Sequence, residues 1–558
     1  MSYYLKKTKI KGRTYLSIDE SFYRAEKKGT AHRCYKSLGS VETHIANGIE
    51  NPIEYFQKEV DELNNKRENK KIKKITDVIP VINLGYFPLK SILDKLKIKK
   101  YVDYFKLTND FNYDLYSLLS SLIFARCINP CSKRKTFLEV LPNLYEKTDY
   151  SYNQLLSGLT FLGENYSKFI EIFNVQTNKV FGTNTEKTYF DCTNFYFEID
   201  REDDLRRKGP SKENRHDPIV GLGLLLDSDL MPIGMKIYPG NESEKPILRE
   251  VIDELKRKNS ITGRTIHVAD KGLNCAKNII NSKANGDGYI FSKSVKTLPE
   301  IERNWIFSEN DYVCVEDCNG KCLYKYKSCI DEFPYTIDIN GKNKTIKLKE
   351  KRLLIYNNDL AVKKRYEIKK LADKAIALKL SQAKREEFGE AGKYVKFLDE
   401  KGGKAKVSIN EQAIEKDLKL AGYNLIITSE INMSDKDIYS TYHNLWRIEE
   451  SFKIMKSDLD ARPVFVQKRD TITGHFLICY LSVLLERLLQ FKVLDNKFST
   501  NEIIDFIRKF KVTVDENKFI NITKNSKTIE DLQVIFKLPI TNYYLSNGDL
   551  KKIMNVEL

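Results

Sequence analysis

Thr188-Tyr189-Phe190-Asp191-Cys192-Thr193 is an aromatic and β-branched run with one carboxylate set inside it. Such residues favour a pleated, half-buried strand, and an ionised group in that setting is costly unless something pairs with it. The strand texture continues through Phe195-Tyr196-Phe197-Glu198, and a charged loop, Arg201 to Asp217, follows. Ile219-Val220-Gly221-Leu222-Gly223-Leu224-Leu225-Leu226 and Met235-Lys236-Ile237-Tyr238 read as two more strands, the second ending at Pro239-Gly240-Asn241. A helix over Lys245 to Lys258 then leads into Thr265-Ile266-His267-Val268-Ala269-Asp270, a fourth strand that closes on a second carboxylate before Lys271-Gly272-Leu273.

Three strands, a helix and a fourth strand make the opening of an RNase H-like sheet, an order that other α+β domains share. Each Asp taken alone could equally cap its strand or the next helix. Together, at the ends of two apolar strands, they suggest metal chemistry. Attack on a phosphodiester is helped by two divalent ions about 3.5–4 Å apart, and magnesium takes a few carboxylates from rigid elements.

Farther along, Lys296 to Leu420 is irregular, with short strands at Tyr312–Val315, Tyr335–Ile339 and Arg352–Tyr356 and a charged helix near Val362–Leu380. Strand texture returns at Tyr423–Thr428, followed by a long helix over Ser434–Leu459 and an apolar one over Thr471–Phe491. On the first of these helices Tyr442, Glu449 and Lys456 are spaced by seven, which at 3.6 residues per turn puts them on one face. A Glu between a hydroxyl and an ammonium suits a site for metal and phosphate; a solvated face of Glu–Lys pairs explains the same triplet. Trp446 and Phe452 would pack this helix or touch an unstacked base.

The segment Tyr442-His443-Asn444-Leu445-Trp446-Arg447-Ile448-Glu449, extended to Lys456, resembles the Tyr-Arg-Glu-Lys signature of bacterial insertion-sequence DDE transposases. Tyr189–Thr193 and Val268–Gly272 resemble that family's first and second Asp motifs. Gly209-Pro210-Ser211-Lys212 and Pro239-Gly240-Asn241-Glu242-Ser243-Glu244 resemble segments between them. The likeness covers roughly residues 185–490. It implies an RNase H-like mixed sheet with flanking helices, interrupted by a mainly β insertion, in an α/β (α+β overall) chain. It further implies that Asp191, Asp270 and Glu449 hold two Mg2+ ions, with Mn2+ as a substitute, for cleavage at element ends and strand transfer. Tyr442, Lys456, Lys212, Arg215 and Ser211 would hold DNA phosphate. One departure is Leu445 at the signature's Arg position; Arg447 lies about 200° around the helix from it. The implied partners are double-stranded DNA, at terminal inverted repeats and at the target, and a second copy of the chain.

The expected organisation is a β-rich segment over 1–48 and a helical, DNA-end-binding domain over 49–184. Two core parts, 185–296 and 421–494, flank a β-rich insertion over 297–420, and a helical tail runs over 495–558. In the helical block, Leu115, Leu118, Leu119, Leu122 and Ile123 recur at helical spacing, and short strands are expected around Lys11-Gly12 and Lys28-Gly29.

Composition agrees without deciding. A net charge of +17 over 558 residues favours polyanions, although a Lys-rich proteome produces the same surplus. No apolar h-region follows Met1, and the most apolar run, His475–Leu485, is short for a membrane span. The expected location is therefore the cytoplasm, with no membrane partner. Cys314, Cys318, Cys322 and Cys329 fall close together but lack paired C-x2-C knuckles, so packing is expected ahead of zinc, and ten scattered Cys suit a reducing compartment. Competing readings are a metal-dependent nuclease of the same fold and a decayed transposase that only binds DNA.

Overall fold

The computed structural model describes residues 2–24, 29–71, 81–213, 216–258, 260–339, 341–380, 385–398, 406–515 and 518–558. The chain falls into two compact units, Met1–Ile79 and Pro80–Leu558. In the first, strands Tyr3–Ile10, Arg13–Arg24 and Gly29–Ser40 form an antiparallel sheet accompanied by a helix over Pro52–Lys71. Its first turn is the two-residue Lys11-Gly12, both at positive φ (48° and 80°), the geometry whose twist suits a hairpin. The second expected turn includes Lys28, outside the described residues. The helical block of residues 49–184 is not one domain, because its first helix belongs to this unit and the rest to the second.

The second unit is organised around a nine-stranded mixed sheet. Among its helices are α1 (Leu115–Ile128), α2 (Tyr152–Glu164), α3 (Tyr166–Phe181), α4 (Glu244–Arg257), α5 (Ala276–Ala284), α6 (Asp435–His443), α7 (Trp446–Lys453) and α8 (Arg469–Arg487). The strands are β1 (Lys187–Tyr196), β2 (Ile219–Leu226), β3 (Pro232–Pro239), β4 (Ile266–Ala269), β5 (Gly288–Lys293), β6 (Val313–Glu316), β7 (Cys322–Ile339), β8 (Lys342–Tyr356) and β9 (Tyr423–Thr428). Their spatial order is β6-β7-β8-β9-β5-β4-β1-β2-β3. Only β1–β4 and β4–β5 run parallel; every other neighbour is antiparallel. The five strands β3-β2-β1-β4-β5, with α4 and α5 as crossovers, make an RNase H-like core.

Why α4 crosses over is written in its sequence. Ile247, Leu248, Val251, Ile252 and Leu255 are buried, one stripe at helical spacing, and they pack with Phe190, Leu225 and Ile233 on one sheet face. Parallel pairing of β1 and β4 needs such a connection. The opposite face, with Tyr189, Phe195 and Val268, joins the large core that includes α1, α2 and α8. The stretch Arg469–Val493 is long and apolar enough, by length and composition, to cross a membrane, and here its most apolar window is entirely buried inside the protein.

The insertion differs from expectation. Strands β6, β7 and β8 do not form a separate domain but continue the core sheet through β9. Glu350 of β8, fully buried, joins the two parts: Tyr289 of β5 and Tyr335 of β7 donate to one oxygen (2.8 and 2.6 Å) and Arg352 Nε to the other (2.8 Å). The Asn358–Leu380 helix and the Val395–Leu398/Lys406–Ile409 hairpin contribute to a satellite core of their own. The tail after Asp495, expected to be helical, also carries strands Lys511–Asp515, Lys518–Asn521 and Tyr544–Leu545, which build a small sheet with Val81–Asn83. Cys314 and Cys322 are joined by a disulfide, while Cys318 and Cys329 are free. Neither the zinc tetrad nor simple packing of all four describes the pair, since both bonded cysteines are exposed.

Asp287, with a fully buried side chain, ties α4 to the parallel strands. It accepts from Lys256 Nζ (2.5 and 2.6 Å) and the Thr265 amide (3.2 Å), and it lies 3.1 Å from His267 Nε2. Burial pushes its pKa up, but hydrogen bonds from His267 and Lys256 outweigh that and hold the carboxyl below the usual range. The stabilisation is therefore present at neutral pH and is lost as acid protonates the folded group. Asp287→Ala, which strands the lysine, is expected to cost about 3–5 kcal/mol. Denaturant unfolding at pH 7 and pH 3 measures it, with the penalty shrinking at the lower pH.

Candidate active site

The register of the two parallel strands sets the site. Phe190 lies opposite Ala269, so the next residues, Asp191 and Asp270, emerge at the same height on neighbouring chains about 4.8 Å apart. Side chains alternate along β1, and Asp191 falls on the face of Tyr189, the one that joins the large core. Asp191 is about three-quarters buried. Burial pushes its pKa up to about 6; the Lys212 ammonium opposes the shift, and the Glu244 and Asp270 charges add to it.

Lys212 Nζ stands 3.8 Å from both Asp191 and Glu244 and also donates to the Cys192 carbonyl. It is positioned by a close backbone approach. A Cβ on Gly209 would lie 2.0 Å from the Gly240 carbonyl oxygen, and one on Gly240 2.2 Å from that of Ile219. Only glycines let the 209–212 loop lie against the end of β3. Glu244 opens α4 behind its N-cap Ser243. Its sequence signal is the segment Pro239-Gly240-Asn241-Glu242-Ser243-Glu244, which resembles a family segment between the two Asp motifs but does not by itself set Glu244 beside them.

Tyr442 Oη donates to Asp270 Oδ1 at 2.9 Å. Burial, and then the Asp270 charge, raises the Tyr442 pKa, keeping the phenol a donor. The helix expected over Ser434–Leu459 is interrupted. α6 ends at His443, and around Asn444-Leu445 the amides of Leu445, Arg447 and Ile448 bond three residues back, to Tyr442, Asn444 and Leu445. That is tighter than an α-turn. A π-helical turn, Ile454–Asp458, follows α7, so seven-residue spacing no longer implies a common face. Tyr442 and Lys456 nonetheless both reach the site: Lys456 Nζ is 3.5 Å from Glu213 and 5.4 Å from the Phe195 ring centre. Glu449, between them in sequence, is exposed. Among the described residues, no group of three or more His, Cys, Asp or Glu side chains stands where it could hold a metal ion. The structure thus brings Asp191 and Asp270 together and leaves Glu449 at the surface.

The remaining expected contacts are distributed as follows. Ser211 Oγ accepts the Glu213 amide (3.2 Å), and Glu213 also pairs with Arg462 (2.7 Å), a carboxylate that sequence reading missed. Arg215 lies outside the described residues. Leu445 packs against the large core, and Phe452 is buried in it. Trp446 is partly exposed beneath the Arg447 guanidinium (4.7 Å). Beside Asp270 and Tyr442 opens a cavity of about 490 Å3, also lined by Lys271, Lys293, Lys296, Lys364 and Lys393 and by the carboxylates Glu367, Glu390 and Asp417. Its far wall belongs to the insertion.

No protein-family model matches the chain, and no curated protein matches its sequence. Among solved structures, the piggyBac transposase synaptic complex with hairpin DNA, determined by cryo-EM, is similar over 86% of each chain at 10% identity, with a TM-score of 0.37.

A buried carboxylate with a raised pKa destabilises the folded state once it ionises. Asp191→Asn is therefore expected to raise the unfolding temperature above pH 6. The gain should vanish below about pH 4, where aspartate is protonated folded or unfolded. Thermal melts of the two proteins at pH 8 and pH 3.5 measure the difference.

Proposed function

We propose that this chain is a DDE-type DNA transposase, acting at insertion-sequence ends. The observation that carries the reading is the pair Asp191 and Asp270, level on adjacent parallel strands, with Tyr442 of the signature-like segment hydrogen-bonded to the second. The donor set fits magnesium: hard carboxylate oxygens on rigid strands, one of them poorly solvated. Asp191, Asp270 and Glu449 would hold two Mg2+ ions, or Mn2+, with Glu449 turning in from the surface. When bound, the ions activate water or a 3′-hydroxyl and stabilise the leaving oxygen.

The chain's own residues do the rest. Lys212 neutralises charge between Asp191 and Glu244, and Tyr442 holds Asp270 in one orientation. The lysine-lined cavity beside Asp270 gives a phosphate backbone a path past the carboxylates. Lys456, Lys212, Tyr442, Arg215 and Ser211 are the proposed phosphate contacts. Cleavage at terminal inverted repeats and joining to target DNA require two ends in one assembly, hence a homodimer on DNA, working in the cytoplasm on the nucleoid.

A plasmid-nicking assay with Mg2+ and a joining assay with precut ends test this together. Asp191→Ala and Asp270→Ala should reduce both activities to background while DNA retention in a gel shift persists. Normal cutting by Asp191→Ala would refute the site. Cutting without joining would make the chain a nuclease of this fold, and retention without cutting in the unmodified chain would make it a DNA-binding protein only. Glu449→Gln should abolish cutting and Glu244→Gln should leave a measurable rate; the reverse result would transfer the third ligand to Glu244.

A further inference from the structure

A second cavity, of about 440 Å3, lies where α2 meets the loop entering α8. Its lining includes Lys133, Arg134 and Lys468, together with Tyr152, Ser157 and Thr471, and no acidic residue. Lys133 is only 5% exposed. Its ammonium has one neighbour of hydrogen-bonding type, His475 Nδ1 at 3.5 Å. His475 is kept neutral by burial, with the Lys133 and Arg126 charges adding to the effect. With the Ala461 carbonyl 2.9 Å from Nε2, that nitrogen carries the proton and Nδ1 accepts. Arg126, also buried, donates among the described residues to the Leu459 and Cys131 carbonyls (3.3 and 3.2 Å). Burial, and then the Arg126 charge, pulls the Lys133 ammonium down to about 7; an anion entering the cavity would stabilise its charged form.

Phe465, 64% exposed, stands on the lining. An exposed ring next to clustered cations offers a stacking face beside a phosphate site. The same loop carries Arg462, which pairs with Glu213 and covers the Tyr196 ring at 4.7 Å. Arg462 and Phe465 are three positions apart, a chain length of at most about 11 Å, so this cavity adjoins the flank of the carboxylate site without sharing its residues.

We propose that this cavity binds a nucleotide, its phosphate on Lys133, Arg134 and Lys468 and its base against Phe465. The phosphate can belong to a DNA strand leaving the carboxylate site or to a free nucleotide. The strand source rests on the proposed function; the cavity's chemistry does not. Titration calorimetry on the full chain, in EDTA, with inorganic phosphate, a deoxynucleoside monophosphate and a single-stranded oligonucleotide tests it. The monophosphate or the oligonucleotide should bind saturably and more tightly than phosphate. Lys133→Met should weaken binding by about tenfold or more, and Lys468→Ala, an exposed change, should weaken it by a smaller factor. Phe465→Ala should remove about fivefold or more of the advantage over phosphate. An oligonucleotide preferred over the monophosphate identifies a strand; equal affinities identify a free nucleotide. Absence of saturable binding, or full affinity in both Lys variants, overturns the proposal. The calorimetry is read in EDTA, where no cleavage is measured, so failure here and failure of the cleavage assay are separate results.

Discussion

The parallel pairing of β1 with β4 is the constraint on which the site depends. Parallel strands give up the tight hairpin and require a crossover, and α4 supplies it by burying a full apolar stripe on the sheet. Once that register is fixed, Asp191 and Asp270 stand side by side whatever the loops do. The arrangement is held from behind by Asp287, which joins the end of α4 to β4 through Lys256, Thr265 and His267, and His267 Nδ1 lies 2.8 Å from the Thr188 hydroxyl of β1. It is opposed by its own product, because two carboxylates at one height repel each other and one is largely out of water. Lys212 and Tyr442 offset part of that cost, one by charge and one by a hydrogen bond.

The core was legible because its signals are local. A β-strand announces itself by aromatic and β-branched residues, and an Asp inside such a strand is conspicuous; Ile219–Leu226 and Tyr423–Thr428 have the bounds read from the sequence. What could not be read is non-local. The insertion strands look like a separate domain until pairing of β8 with β9 draws them into the main sheet. The strands after Lys511 acquire that identity by pairing with Val81–Asn83, over four hundred residues away. Glu213 looks like any surface acid, and only the fold sets it against Lys456 and sets Glu244 against Lys212. The helix at Ser434–Leu459 misled for a different reason: nothing in Asn444-Leu445 breaks a helix by propensity. There Leu445 packs against the core while the following amides tighten to three-residue bonds.

Because the insertion shares the sheet, it cannot be treated as an appendage. Glu350 draws hydroxyls from β5 and β7 onto one carboxylate, with Arg352 on the other oxygen, so a fully satisfied buried polar network couples the added strands to the strand next to β4. The same added segment walls the cavity beside Asp270 with Lys364 and Lys393. The geometry around the second Asp is thus set partly by residues more than ninety positions later in the chain.

Net charge alone describes the surface poorly, because the cations differ in what they already hold. Lys212 is engaged by Asp191 and Glu244, Lys456 and Arg462 by Glu213, Lys296 by Asp417, and Lys364 by Glu367. A polyanion arriving at these groups must replace a carboxylate, so part of its attraction is offset by the ion pair it breaks. Lys133, Arg134 and Lys468 carry no such debt, since their cavity has no acidic lining residue. The +17 surplus is therefore unevenly committed: at the carboxylate site its cations are already paired with acids, and in the cavity beside Lys133 no acid lines the wall.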